Sequence, residues 1–171
     1  MKKILFLLAF TGWAIALLVH ILSIFEIYFS DTFPIEDWLF PGLFVVWIAT
    51  IFYLKSEKEL KSENAIANNE DNYFSPMFDN IPNWLRVLAI FSFIYSPINF
   101  FMTANGYTPE IDNGQFILME KSTFIKTLTK LEYIHYKANE VRLSTGHLLA
   151  FYGISSAFLY RNMKMGLKGY T

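Results

Sequence analysis

Residues 4–28 read ILFLLAFTGWAIALLVHILSIFEIY, an apolar run interrupted by a single histidine, His20, and a single carboxylate, Glu26. A bilayer core of ~30 Å is crossed by about 20 helical residues, so this run is long enough to span one. A secretory signal also begins with lysines, but its apolar region is about 7–15 residues long and closes on a small-residue cleavage site. This run closes on Phe25-Glu26-Ile27-Tyr28-Phe29 with no Ala-x-Ala there, and it reads as a retained helix. Three further apolar stretches follow, Trp38–Leu54, Trp84–Thr103 and Thr145–Tyr160. Pro41 falls in the first turn of the second, where a missing N–H costs little, and Pro97 lies inside the third. The reading is one membrane domain with spans at 4–28, 38–54, 84–103 and 145–160.

Composition agrees with that reading. Apolar residues make up 54% of the chain and charged residues 17%, against roughly 45–50% and about 25% in soluble domains. The formal net charge of -1 gives no reason to expect nucleic acid as a partner. With no cysteine, disulfides, thiolate metal sites and a cysteine nucleophile are excluded. The Phe-, Ile-, Lys- and Asn-rich usage points to a bacterial cytoplasmic membrane.

Basic residues orient the spans. Lys2 and Lys3 precede the first, Lys55, Lys58 and Lys61 follow the second, and Arg161, Lys164 and Lys168 follow the fourth. Four spans place all three clusters on one side, so both termini are expected in the cytoplasm. Residues 55–83 then form a cytoplasmic loop: Lys55–Lys61 extends the second helix, and Ser62–Asn72 reads as a flexible connection. Tyr73-Phe74-Ser75-Pro76-Met77-Phe78 reads as an interfacial aromatic anchor or a docking peptide.

Residues 104–144 become an extracytoplasmic insertion. Gln115–Glu120 and Thr123–Leu128 read as a β-hairpin turning at Lys121-Ser122. Thr129 and Glu132 form a capping box. Leu131, Ile134, Ala138 and Val141 recur at helical spacing, giving an amphipathic helix over Lys130–Arg142 before the last span. The expected fold is an all-α four-transmembrane-helix bundle with a small extracytoplasmic β-hairpin and an amphipathic helix.

One resemblance rests on this stretch. Asn113-Gly114, Phe116-Ile117-Leu118, Leu128-Thr129, Glu132-Tyr133, Arg142, Ser144, Gly146-His147 and Phe151-Tyr152 follow in order. The pattern resembles the C-terminal part of small four-span bacterial membrane proteins of uncharacterised function. Thr145 separates Ser144 from Gly146, and Leu148 stands where that pattern has a tryptophan. The resemblance implies architecture and no activity.

Small residues let membrane helices approach closely. Ala9, Gly12 and Ala16 share one face of the first span, and Gly146, Ala150, Gly153 and Ala157 share one face of the fourth. These faces are expected to pack within the protein, on each other or, alternatively, across a homo-oligomer. The first stripe aims His20 inward. With Glu26, Tyr95, Ser96, Asn99, Ser144 and His147 it would occupy one polar slab near the outer surface. Such residues are expensive in a bilayer and often functional. The slab reads either as internally satisfied hydrogen bonding or as a metal, proton or substrate site.

No other chemistry is legible. There is no Walker loop, dinucleotide fingerprint, nucleophile elbow or His-Glu-x-x-His, so no catalytic residue is named and no cofactor is expected. The expectation is a non-enzymatic accessory, sensor or binding component of a membrane assembly, with lipid and a protein partner or second copy as contacts. The alternative is an intramembrane enzyme or ion conductor using His20, His147 and Glu26.

Overall fold

A computed structural model describes residues 2–27, 35–68 and 81–168. Helix α1 runs Lys2–Ile24, α2 Ile35–Asn68, α3 Asn83–Thr103 and α4 Lys130–Lys168; strands β1 (Tyr107–Asp112), β2 (Gln115–Glu120) and β3 (Thr123–Thr127) lie between α3 and α4. Among the described residues, three helical stretches are long and apolar enough to cross a membrane: Lys2–Ile24, Trp38–Lys55 and Asn83–Thr103.

Thr145–Tyr160, expected as a fourth span, is not among them. The reason lies in its position. From Thr145 to Asn162 only Phe151 is exposed, with His147, Ile154 and Tyr160 half-buried. This part of α4 is the hub on which α1, α2 and α3 pack. A helix walled in by other helices needs less apolar surface than a lipid-facing one, and here Thr145, Ser155 and Ser156 are buried. The outward surfaces of the other three are correspondingly greasy: Leu18 and Phe25, Phe44 and Ile48, Val87, Phe93 and Phe101 are all exposed.

The first helix stops at Ile24, earlier than the expected 28. The Ile27 amide bonds the Leu22 carbonyl and the Glu26 amide the Ser23 carbonyl, at 3.0 and 3.1 Å. That is a Schellman closure with Glu26 at the left-handed position, φ 58°, normally glycine's place. In α2 the helix continues through Ser62 to Asn68, where a flexible connection was expected, because Lys55 to Asn68 contains neither Pro nor Gly. The cluster Tyr73–Phe78 lies outside the described residues.

Beyond the bundle the expected hairpin is a three-stranded antiparallel sheet, order β1-β2-β3. The added strand, β1, contains Pro109, which spoils its sequence signal. It is an edge strand, where a missing donor is tolerated. One face of the sheet packs on α4 through Leu118, Leu128 and Tyr133, with the Phe116 and Tyr133 rings 4.6 Å apart. The capping box is formed: the Thr129 amide donates to Glu132 Oε2 at 2.8 Å and the Glu132 amide to Thr129 Oγ1 at 3.2 Å. The expected amphipathic helix and last span are one uninterrupted helix of 39 residues, about 58 Å long at 1.5 Å per residue. No proline or capping glycine falls between Lys130 and Tyr160 to end it at the junction.

Candidate functional site

The small-residue stripes do not face each other. Gly12 on α1 receives the Tyr152 ring, whose nearest atoms lie 2.5–2.9 Å from where a Cβ would be. The Tyr152 hydroxyl donates to the Leu39 carbonyl of α2 at 2.7 Å, so one buried aromatic ties three helices. The stripe on α4 faces α3 instead. Gly146 lies against Asn99, Gly153 against Ser92 and Leu88, and Ala157 joins Ile81, Leu85 and Ala89. On the other side of α1, Trp13 Nε1 donates to Ser92 Oγ at 3.1 Å.

Above this level α1, α3 and α4 enclose His20, which is 3% exposed although it carries two polar nitrogens. Its Nδ1 lies 2.9 Å from Thr145 Oγ1 on α4, and its Nε2 lies 2.7 Å from the Tyr95 hydroxyl on α3. Thr145 Oγ1 also donates to its own helix, to the Val141 carbonyl at 2.6 Å. A hydroxyl has one proton to give. With that proton on Val141, His20 Nδ1–H donates to Thr145 and Nε2 accepts from Tyr95. The result is a one-way chain, Tyr95 to His20 to Thr145 to a backbone carbonyl, in which every donor is used.

Next to the chain, Asn99 Nδ2 donates to the Arg142 carbonyl at 3.0 Å, an approach that Gly146 permits. Arg142 in turn donates to the Ser23 carbonyl at 2.9 Å, placing a cation on the last turn of α1 where the helix dipole is negative. Ser23 Oγ donates back to the His20 carbonyl at 2.7 Å.

The anticipated polar slab therefore divides. His20, Tyr95 and Asn99 belong to one interhelical network. Glu26 stands apart and accepts from His135 Nδ1 at 2.7 Å, while Asn139 Nδ2 lies 3.2 Å from the other nitrogen of that ring. His147 donates from Nδ1 to the Leu143 carbonyl of its own helix at 2.9 Å, and its ring lies nearly perpendicular to that of Phe100. Ser144 is half-buried and enters none of these bonds. Among the described residues no three His, Asp or Glu side chains gather as a metal ion would require.

Three members of the network, Thr145, Arg142 and Ser23, escaped the sequence reading, as did His135, the partner of Glu26. A signal existed for the first. Ala138, Val141, Thr145, Leu148 and Tyr152 recur at spacings of three and four along the buried seam of α4.

Comparison with protein-family models, curated proteins and solved structures finds no match for this chain.

Proposed function

We propose that this chain is a non-enzymatic integral membrane protein in which α4 crosses the bilayer inside a sheath of α1, α2 and α3 and holds the sheet outside it. The observation that carries the reading is the state of His20. It is the most deeply buried of the three histidines, and both of its ring nitrogens are spent on neighbouring helices. The chain of bonds through it ends on the Val141 carbonyl, which cannot pass a proton onward. What the fold presents for recognition is the sheet, so the role is that of an accessory, sensor or binding component of a membrane assembly.

Both termini belong on the cytoplasmic side in this reading. The start of α1 and the end of α4 share one end of the bundle, where Phe6 meets Tyr160 edge to face. Cations gather at that end: Lys2 lies over the Tyr53 ring and Lys164 over the Tyr160 ring. Lysine and arginine favour the cytoplasmic face.

Because the native chain lacks cysteine, single Gln115→Cys and Lys55→Cys variants test the topology in intact cells. A membrane-impermeant thiol reagent should modify residue 115 and leave 55 protected. Proton flux into proteoliposomes and metal content of the purified protein test the non-enzymatic part. Both should match a protein-free control. Stoichiometric metal, or a flux abolished by His20→Gln, would overturn it.

A further inference from the structure

We infer that the seam between α1 and α3 seats one phospholipid, with its phosphate on Arg142 and an acyl chain along the aromatic side chains beneath. The inference rests on the membrane reading above and gives the bundle a ligand.

The head of the seam is a cation without a counter-charge. Arg142 is half-buried, and its guanidinium donates to the Ser23 carbonyl in the last turn of α1. That carbonyl stands at the end of the Lys2–Ile24 span, so the guanidinium lies where hydrocarbon gives way to headgroups. A guanidinium has five N–H donors. Here one bond is made, and Nε is buried with no partner. Among the described residues Arg142 forms no ion pair. Glu26, three residues past Ser23, is engaged by His135 instead. An uncompensated cation is costly in a bilayer. A phosphate diester is the anion that a phospholipid brings to this depth, and the arginine fork matches its oxygens.

Beneath the cation the seam is apolar. Helices α1 and α3 both pack on α4 and hardly on each other. Side chains bridge them: Trp13 donates to Ser92, the Tyr95 hydroxyl meets His20, and the Phe10 and Trp84 rings lie 5.8 Å apart. Phe10 stacks on Trp13 and Phe91 on Tyr95. Phe10, Trp13 and Tyr95 are half-buried, and Phe91 is 62% exposed, so this floor of rings is open to lipid. Trp13 is ten residues from Ser23 along α1, about 15 Å. That is half of the ~30 Å hydrocarbon core, the depth an acyl chain reaches within its own leaflet. Cation, depth and apolar floor match one lipid of the leaflet in which α1 ends.

The test separates the two parts of the ligand. The full chain, stripped of lipid in mild detergent, is titrated with dioleoylphosphatidylglycerol, with dioleoylglycerol, which lacks the phosphate, and with glycerol phosphate, which lacks the chains. Native mass spectrometry counts what binds. One phospholipid per chain is expected, held about ten-fold tighter than dioleoylglycerol, as one charge-assisted hydrogen bond would give. Glycerol phosphate should not bind. Arg142→Gln, whose amide can still donate to the Ser23 carbonyl, should lose the preference, and Lys121→Gln, in the exposed β2–β3 turn, should keep it. Should Arg142→Gln fail to fold, the three ligands on the native chain decide. A diazirine at the end of one acyl chain should crosslink to α1 near Trp13 or to α3 near Phe91. Equal binding of phospholipid and dioleoylglycerol, a preference retained by Arg142→Gln, glycerol phosphate bound as tightly as the lipid, or crosslinks confined to α2 would each overturn the seat and leave the membrane reading intact. A chain that stays monodisperse without detergent or lipid overturns both.

Discussion

The Asn99 amide occupies the space that a side chain at position 146 would need. A Cβ built on Gly146 falls on Asn99 Nδ2, the atom that donates to the Arg142 carbonyl one turn earlier in α4. Glycine here is a condition of an interhelical hydrogen bond.

Gly146→Ala should therefore displace Asn99 and cost about 1–3 kcal/mol, the usual range for overpacking. Asn99→Ala alone should cost about 0.5–1.5 kcal/mol for the lost bond. The double variant should be markedly more stable than the sum of the two, because the clash disappears with the side chain. Unfolding in detergent supplies the three values, and strict additivity would separate the two residues.

At His20 the outcome depends on what replaces the ring. His20→Gln keeps a donor and an acceptor and should be nearly neutral. His20→Leu leaves the Tyr95 and Thr145 hydroxyls without their shared partner and should cost about 1–3 kcal/mol. Nitrogen NMR of labelled histidine, with the His20 signals assigned by their loss in His20→Gln, should show that ring protonated at Nδ1 with a hydrogen-bonded, unprotonated Nε2. Equal stability of the two variants, or the opposite tautomer, would disprove the bond chain.

Tyr152 offers a graded series. Tyr152→Phe removes only the bond to the Leu39 carbonyl, about 0.5–1.5 kcal/mol. Tyr152→Ala empties the junction of three helices, about 3–5 kcal/mol by analogy with other buried aromatics. If Tyr152→Ala melts like Tyr152→Phe, the ring does not join the helices as described.

Outside the membrane, Glu132 governs an acid limit. The hydrogen bond from Lys126, 2.7 Å away, and the capping bonds from Thr129 hold its carboxyl down at about 2, below the ordinary 4.5. A depressed carboxylate stabilises the fold fully above its ordinary value and loses that contribution as pH falls through the folded value. The junction of β3 with α4 should consequently persist from neutral pH to about pH 4 and weaken toward pH 2. Carboxyl-carbon NMR should place the midpoint near 2, and Lys126→Met should raise it part of the way, since Thr129 still donates. A midpoint unmoved by Lys126→Met would assign the shift to the cap alone.

How much of this was legible depended on where each signal resided. The bounds of α3 matched its apolar run almost to the residue, because lipid rewards a continuous apolar surface. The inward aim of His20 was readable from Ala9, Gly12 and Ala16, since a helix repeats its face every three to four residues. The capping box at Thr129 was equally local. What failed was relational. Nothing in the sequence tells that Gly146 meets Asn99 while Gly12 meets Tyr152, so the partner of each stripe is not legible there. Glu26 was placed by its distance from His20, and its partner His135 lay beyond the assumed slab. Strand β1 was hidden by Pro109, which an edge accepts. The role of α4 was obscured because a sheathed helix needs less apolarity than an exposed one.

That last contrast bears on how the chain is made. The helices with enough apolarity to leave an aqueous pore for lipid unaided are α1, the first half of α2, and α3, and all three precede α4 in the order of synthesis. By the time Thr145–Asn162 emerges, all three helices that pack on it have been made. If α4 crosses the bilayer as proposed, biogenesis is sequential by composition: three helices partition as individuals, and the fourth enters as a guest of the three. On that proposed topology, a lesion in the faces of α1, α2 or α3 that pack on α4 would show itself as failure of α4 to integrate before any loss of stability in the finished protein could be measured.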